Sequence, residues 1–197
     1  MEFSDKVIYI DGKKNYVYFS DHRTGLSNEK TRFSTTADER EWRFYFECEE
    51  EFFSPKHTRY NDPLYDGDIV ELMITLGDKN RYLEVEVNQN NANYCVLIDN
   101  LDGQGNIRIE FLRENPVKSL VKVEKNRWSC DIIIPFERLN RLGFNVDNAY
   151  MNAFRQDYDA ENKLSLYSLS PAKSDTFHKI DAFLKVETGK GSSISEE

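Results

Sequence analysis

Short runs in which apolar and polar residues alternate recur along almost the whole chain, with turn-forming residues between them. Successive side chains on a strand point to opposite faces, so a period of two marks a half-buried strand. The clearest run is 42–48, WRFYFEC, with aromatic residues on both faces. Others occupy 6–10, 16–20, 32–36, 69–75, 82–88, 94–98, 107–111, 117–123, 128–134, 149–156, 164–169 and 182–186. The turn formers are Asp11-Gly12, Gly77-Asp78-Lys79-Asn80, Asp102-Gly103-Gln104-Gly105 and Asn115-Pro116. Helical spacing is confined to 135–142, PFERLNRL, which opens on Pro and is stopped by Gly143. A parallel α/β sheet needs a helix after most strands. The pattern therefore predicts an all-β fold, a single antiparallel β-sandwich (jelly-roll-like) with one or two short helices.

Thirteen Phe and eleven Tyr in 197 residues supply enough bulk for the core of one sandwich. Trp42 and Trp128 stand mid-strand in apolar company and are expected inside, with Ile132 and Ile134. Nothing resembling a linker divides the body, so 1–188 reads as one domain and 189–197, GKGSSISEE, as a flexible C-terminal tail. A net charge of -9 repels nucleic acid and anionic membrane, and no segment has the length and hydrophobicity of a membrane span. Neither is an expected partner. Cys48, Cys95 and Cys130 lack metal-type spacing and lie in apolar or alternating runs, which predicts buried free thiols. The opening residues, MEFSDKVIYID, carry no secretory pattern. With the thiols this favours a cytoplasmic location, or a secreted one if a leader has been removed.

The chemistry concentrates in 60–90, YNDPLYDGDIVELMITLGDKNRYLEVEVNQN. Asp68, Glu71, Glu84 and Glu86 lie on or beside its two strands, where a bare core would place apolar residues. Carboxylates held on a rigid sheet beside an exposed aromatic such as Tyr65 are the parts of a polyol-binding surface. A flat ring stacks on the C–H face of a pyranose, and the carboxylates accept from its hydroxyls.

Four blocks, in order, resemble the family 9 carbohydrate-binding modules: DPLYDGDIVELMI at 62–74, YLEVEVNQN at 82–90, WSCDIIIPFERL at 128–139, and MNAFRQD at 151–157 followed by the SLSP and FHKIDAF segments within 166–186. The resemblance implies a β-sandwich that binds a poly- or oligosaccharide without catalysis. It implies a calcium ion as an optional cofactor, since some members bind one, and no organic cofactor. By the same likeness the first ring of a sugar clamp falls at Tyr65. The second falls near Leu169, which offers no flat face, with Phe177 close by as a substitute. Glu71 and Arg155 match the family's acidic and guanidinium positions. Glu86 stands where some members carry a basic residue, and Asn88 follows it.

Each of these residues also has a structural alternative. Tyr65 can pack its loop, Phe177 can anchor a core, Glu71 can pair with Arg155 inside the sandwich, and Asn88 can cap a turn. For calcium, the hard oxygens on bent loops are Asp157, Asp159 and Glu161, or else Asp62, Asp66 and Asp68; solvated acidic loops are the alternative. His22, His57 and His178 show no ligand spacing, so zinc is not expected, and His178 reads as structural. The expected function is that of a non-catalytic carbohydrate-binding module. Two alternatives remain open at this point: a protein-interaction or structural sandwich with a decayed sugar site, and a glycosidase using a carboxylate pair such as Glu71 and Glu86.

Overall fold

The computed structural model describes residues 7–10 and 15–188. In chain order the strands are β1 (Val7–Ile10), β2 (Val17–Asp21), β3 (Ser27–Ala37), β4 (Glu41–Glu49), β5 (Ile69–Leu76), β6 (Asp78–Val87), β7 (Asn93–Asn100), β8 (Ile107–Phe111), β9 (Lys118–Glu124), β10 (Arg127–Pro135), β11 (Tyr150–Tyr158), β12 (Leu164–Ser168) and β13 (Leu184–Thr188). One α-helix, α1 (Phe136–Arg141), follows β10, and single 3-10 turns lie at Leu64–Asp66, Val146–Asn148 and Ile180–Ala182. Each alternating run of the sequence corresponds to one strand. The differences are at the ends: β3 begins five residues earlier than the alternation at 32–36, Asn88 falls just beyond β6, and Ala182 belongs to a 3-10 turn. The expected tail at 189–197 and the Asp11-Gly12 turn lie outside the described residues.

The strands form one ribbon in the order β8-β7-β6-β5-β11-β12-β2-β3-β4-β10-β9, with β13 added to β11 and β1 to β13. Pairing is antiparallel except between β1 and β13, which run parallel. The ribbon turns a corner between β12 and β2, which share only the pairs Tyr167–Asp21 and Ser168–Ser20. Its two arms fold onto each other across one apolar core. From one arm come Trp42, Phe44, Phe46 and Cys48 of β4 and Trp128, Cys130, Ile132 and Ile134 of β10. From the other come Val70, Leu72 and Ile74 of β5 with Leu83, Val85 and Val87 of β6. Both tryptophans are buried, and Trp42 donates its Nε1 hydrogen to Thr35 Oγ1 at 2.6 Å. All three cysteines are free and buried. No helix among the described residues is long and apolar enough to cross a membrane.

The helix α1 starts after Pro135, turns Leu139 into the core, and stops where Gly143 takes a φ of +92°. That left-handed conformation suits glycine and lets the next residue, Phe144, return its N–H to Leu139 O at 3.1 Å.

The arm β8-β7-β6-β5-β11-β12 also has an outer face, and it is covered too. Ile69, Met73, Tyr82, Tyr94, Val96, Ile98 and Phe154 form a second apolar cluster there. Leu64 caps it from the loop before β5, and Phe177, Ile180 and Phe183 cap it from the segment before β13. Every residue of β5 is consequently buried, whichever way it points.

Truncating Trp128 to alanine should cost roughly 3–5 kcal/mol, the usual penalty for a large buried aromatic. The thermal melt should fall by about 10 °C for a chain of this size. An unchanged melt would show that β10 does not pack as described.

Candidate functional site

On the outer face the strand register sets side chains in rows. One row runs Phe154, Glu71, Glu86, Tyr94 across β11, β5, β6 and β7. The next runs Asn152, Met73, Glu84, Val96, Phe111 and reaches β8. Glu71 and Glu86 are thus direct cross-strand neighbours, and Glu84 lies one step along β6 on the same face. The three residues keep only 4, 3 and 5 % exposure for Glu71, Glu86 and Glu84 respectively. Glu84 Oε2 and Glu86 Oε2 have no hydrogen-bond partner. Burial pushes the Glu84 carboxyl up to about 8. Burial, reinforced by negative neighbours, holds Glu71 and Glu86 well above the usual carboxylate range. The Tyr65 backbone N–H bonds Glu86 and pulls weakly the other way.

No protonated histidine relieves this charge at neutral pH. His178 Nδ1 lies 3.9 Å from Glu84 Oε2, but burial pushes the imidazole down to about 4. Its Nδ1 instead shares a hydrogen bond with Tyr82 Oη at 2.8 Å, while Asn100 Nδ2 donates to the same Tyr82 oxygen at 3.3 Å. A cluster that shares protons in this way can both donate and accept hydrogen bonds, as sugar hydroxyls do.

Tyr65 stands over the edge of this cluster on a firmly held loop. Leu64 is buried and anchors the turn, whereas Tyr65 is 48 % exposed and meets Tyr94 edge-on at 5.9 Å. Gly67 follows, so close to the neighbouring chain that an added Cβ would sit 2.5 Å from Ser54 O. Asn61, at a φ of +60°, bonds the Asn93 carbonyl and accepts from Cys95 N. Asp68 accepts from Ser54 N at 2.6 Å and Tyr158 N at 2.8 Å. On the far side of Tyr94, Phe111 is 58 % exposed with its ring 5.8 Å away, again edge-on. Two exposed rings therefore flank one buried ring at the rim.

Several residues expected at a sugar site are committed to the scaffold. Arg155 follows Phe154 on β11, so its side chain takes the opposite face, inside the sandwich, and is fully buried. Its guanidinium donates to Glu50 Oε2 at 2.7 Å, Glu49 O at 2.9 Å and Thr31 Oγ1 at 3.0 Å, and pairs with Asp157 at 3.1 Å. It does not pair with Glu71. Burial still raises Glu50 to about 7, despite the arginine. Asn88 caps a turn, donating to His57 O at 2.8 Å and accepting from Asn90 N and Ala92 N. Phe177 stacks on Phe154 at 4.3 Å with only 8 % exposure, an anchor of the cover and not a free platform.

The residues expected to hold calcium carry other bonds in the fold. Asp157 is held by Arg155, and Asp159 closes its own turn by accepting from Glu161 N and Lys163 N. Among the described residues no group of three or more His, Cys, Asp or Glu is arranged around a metal position.

Two residues of the rim, Tyr94 and Phe111, are absent from the sequence-based site. Each sits in an ordinary alternating strand, and only the register of β6, β7 and β8 brings them beside Glu86 and Tyr65.

No family model matches the sequence, and no curated protein matches it. Solved structures do resemble the fold. A protein from Bacteroides uniformis ATCC 8492 described as carbohydrate-binding superposes with a TM-score of 0.72 at 14 % identity, over 89 % of this chain and 87 % of that one. A family 9 carbohydrate-binding module from Caldicellulosiruptor kristjanssonii in complex with cellotriose gives 0.60 at 10 % identity, over 100 % of this chain and 97 % of that one. The same module in complex with glucose gives 0.59 at 11 % identity, over 99 % of each. At these identities the likeness is one of fold: the chain has the β-sandwich fold of the family 9 modules.

Glu84 makes stability depend on pH. In the fold it keeps its proton up to about pH 8; in the unfolded chain it loses it near 4.5. The native state binds more protons between those values, so this contribution is complete below pH 4.5 and is lost as pH rises through about 8. Glu84→Gln, neutral at every pH, should leave the melting temperature nearly unchanged at pH 5 and raise it by several degrees at pH 9. An equal effect at both pH values would show that Glu84 is not held in its neutral form.

Proposed function

We propose that the outer face of β5–β8 binds a carbohydrate without catalysis, with Tyr65 as the stacking ring and Glu71, Glu84 and Glu86 taking polar groups of the sugar. The observation that carries this reading is the pair of buried, unpartnered oxygens on Glu84 and Glu86 beside an exposed ring on an anchored loop. Buried polar atoms are nearly always satisfied, so those left open beside an exposed ring call for an explanation, and a bound sugar supplies one. Phe111 extends the aromatic rim for a longer chain. The fold neighbours support the reading, because a module of this fold is seen with glucose and with cellotriose.

Catalysis by the carboxyls is disfavoured on electrostatic grounds. A glycosidase needs one carboxyl kept neutral and another kept ionised, in environments that push them apart. Here burial drives Glu71, Glu84 and Glu86 in the same direction. In this reading Arg155, Asn88 and Phe177 hold the scaffold on which the site is built. A chain with net charge -9 has no surface bias toward nucleic acid or anionic membrane, and three buried free thiols fit a reducing compartment.

The test is calorimetric titration of β-linked oligosaccharides into the wild type, Tyr65→Ala and Phe111→Ala. Stacking contributes about 1 kcal/mol beyond the area it buries. Tyr65→Ala should therefore weaken binding by about tenfold or more at an unchanged melting temperature, since the ring is half exposed. Equal affinity of wild type and Tyr65→Ala would remove the stacking role. Absence of binding across the panel would overturn the sugar reading in favour of a protein-interaction sandwich.

A further inference from the structure

We infer that the sugar selected by this face is a cationic one, an amino sugar whose protonated amine sits among Glu71, Glu84 and Glu86. The inference rests on the sugar-binding reading of the same face and goes on to the charge of the ligand.

Three observations point to it. The first is the number of acceptors. Glu71 and Glu86 oppose each other across β5 and β6, and Glu84 shares their face. Glu84 Oε2 and Glu86 Oε2 are buried without a donor. An ammonium group presents three N–H donors and no acceptor, which matches three converging carboxyls; a hydroxyl presents one donor. The second is the missing counter-charge. Arg155 lies across the sheet with its fork committed to Glu50, Asp157 and Thr31. His178 is neutral at physiological pH. The forces acting on Glu71 and Glu84 are burial and, for Glu71, negative neighbours, with no cation among them. A ligand that brings its own positive charge removes that penalty, whereas a neutral polyol only solvates it and an acidic sugar adds to it. The third is the rim. Tyr65 and Phe111 offer π faces that attract a cation approaching from solvent. Glu71, Glu84 and Glu86 keep 4, 5 and 3 % of their surface exposed while Glu84 Oε2 and Glu86 Oε2 are themselves buried, so the amine has to enter the cluster between the rim rings.

The decisive experiment uses three trisaccharides with one β-1,4-linked gluco backbone that differ only at C2: cellotriose with a hydroxyl, the glucosamine trimer with an amine, and its N-acetylated form. Titrations run at pH 6.5, where the amine is largely protonated, against the wild type and Glu84→Gln. The glucosamine trimer should bind about tenfold tighter than either other sugar, a difference of ~1.4 kcal/mol. Glu84→Gln should remove most of that preference, weakening the glucosamine trimer far more than cellotriose. Binding of the cationic sugar should also release protons, seen as a heat that changes with the ionisation enthalpy of the buffer. Cellotriose binding as tightly as the amine would overturn the charge selection and leave sugar binding intact. A preference that survives in Glu84→Gln would assign it to the general acidity of the surface and overturn the site. Failure of all three sugars to bind would defeat this inference together with the reading beneath it.

Discussion

Strand β5 is buried on both faces, and that single constraint shapes the chemistry of the molecule. One face looks into the sandwich and carries Val70, Leu72, Ile74 and Leu76. The other lies under a second apolar cluster capped by Leu64, Phe177, Ile180 and Phe183. A carboxylate placed on such a strand cannot remain in water. Glu71 is there, and the register adds Glu86 and Glu84 beside it. Desolvation of three like charges is costly, and proteins meet that cost by pairing, by protonation, or by keeping the position for a ligand. Pairing is not used on this face. Protonation and a ligand remain, and the proposed function combines them.

The contrast with Arg155 is instructive, because the two electrostatic centres are made from adjacent strands. Phe154 and Arg155 are consecutive on β11, so they point to opposite sides. Phe154 joins the row with Glu71, while Arg155 enters the sandwich and is met there by Glu50 and Asp157. In one buried centre charge is met by charge, with Arg155 Nε left without a partner. This centre ties β11 to β3 and to the end of β4 through Thr31, Glu49 and Glu50. The other is open. A closed network gives rigidity, and an open one gives capacity to bind. The outer face is rigid as well, since the loop bearing Tyr65 is tied down by Asn61, Gly67 and Asp68 before any ligand arrives.

The fold was almost fully legible in the sequence. Alternation with period two, punctuated by Gly, Asn, Asp and Pro, located all of the strands and the single helix after Pro135, because the burial of one face is imposed residue by residue along each strand. Trp42 and Trp128 were readable as core for the same reason. The acidic cluster was visible too, since Glu71, Glu84 and Glu86 interrupt runs that would otherwise be apolar. Tyr65, in a Pro-containing turn beside these strands, was legible as an exposed ring.

What the sequence could not contain was which face each residue shares with residues far along the chain. Arg155 matched a binding motif by spacing, yet strand parity on β11 sends it to the opposite side of the sheet from Glu71. Asp157 and Asp159 read as metal ligands; in the fold Asp157 pairs with Arg155 and Asp159 closes a turn. Phe177 read as a second platform, but it stacks on Phe154. Phe111 and Tyr94 carried no signal at all until the pairing of β6, β7 and β8 aligned them with Glu84 and Glu86. Local pattern is set by the neighbours of a residue in sequence, and the sequence determined it. The assembly of a site is set by strand register across long separations, and only the tertiary structure decided it.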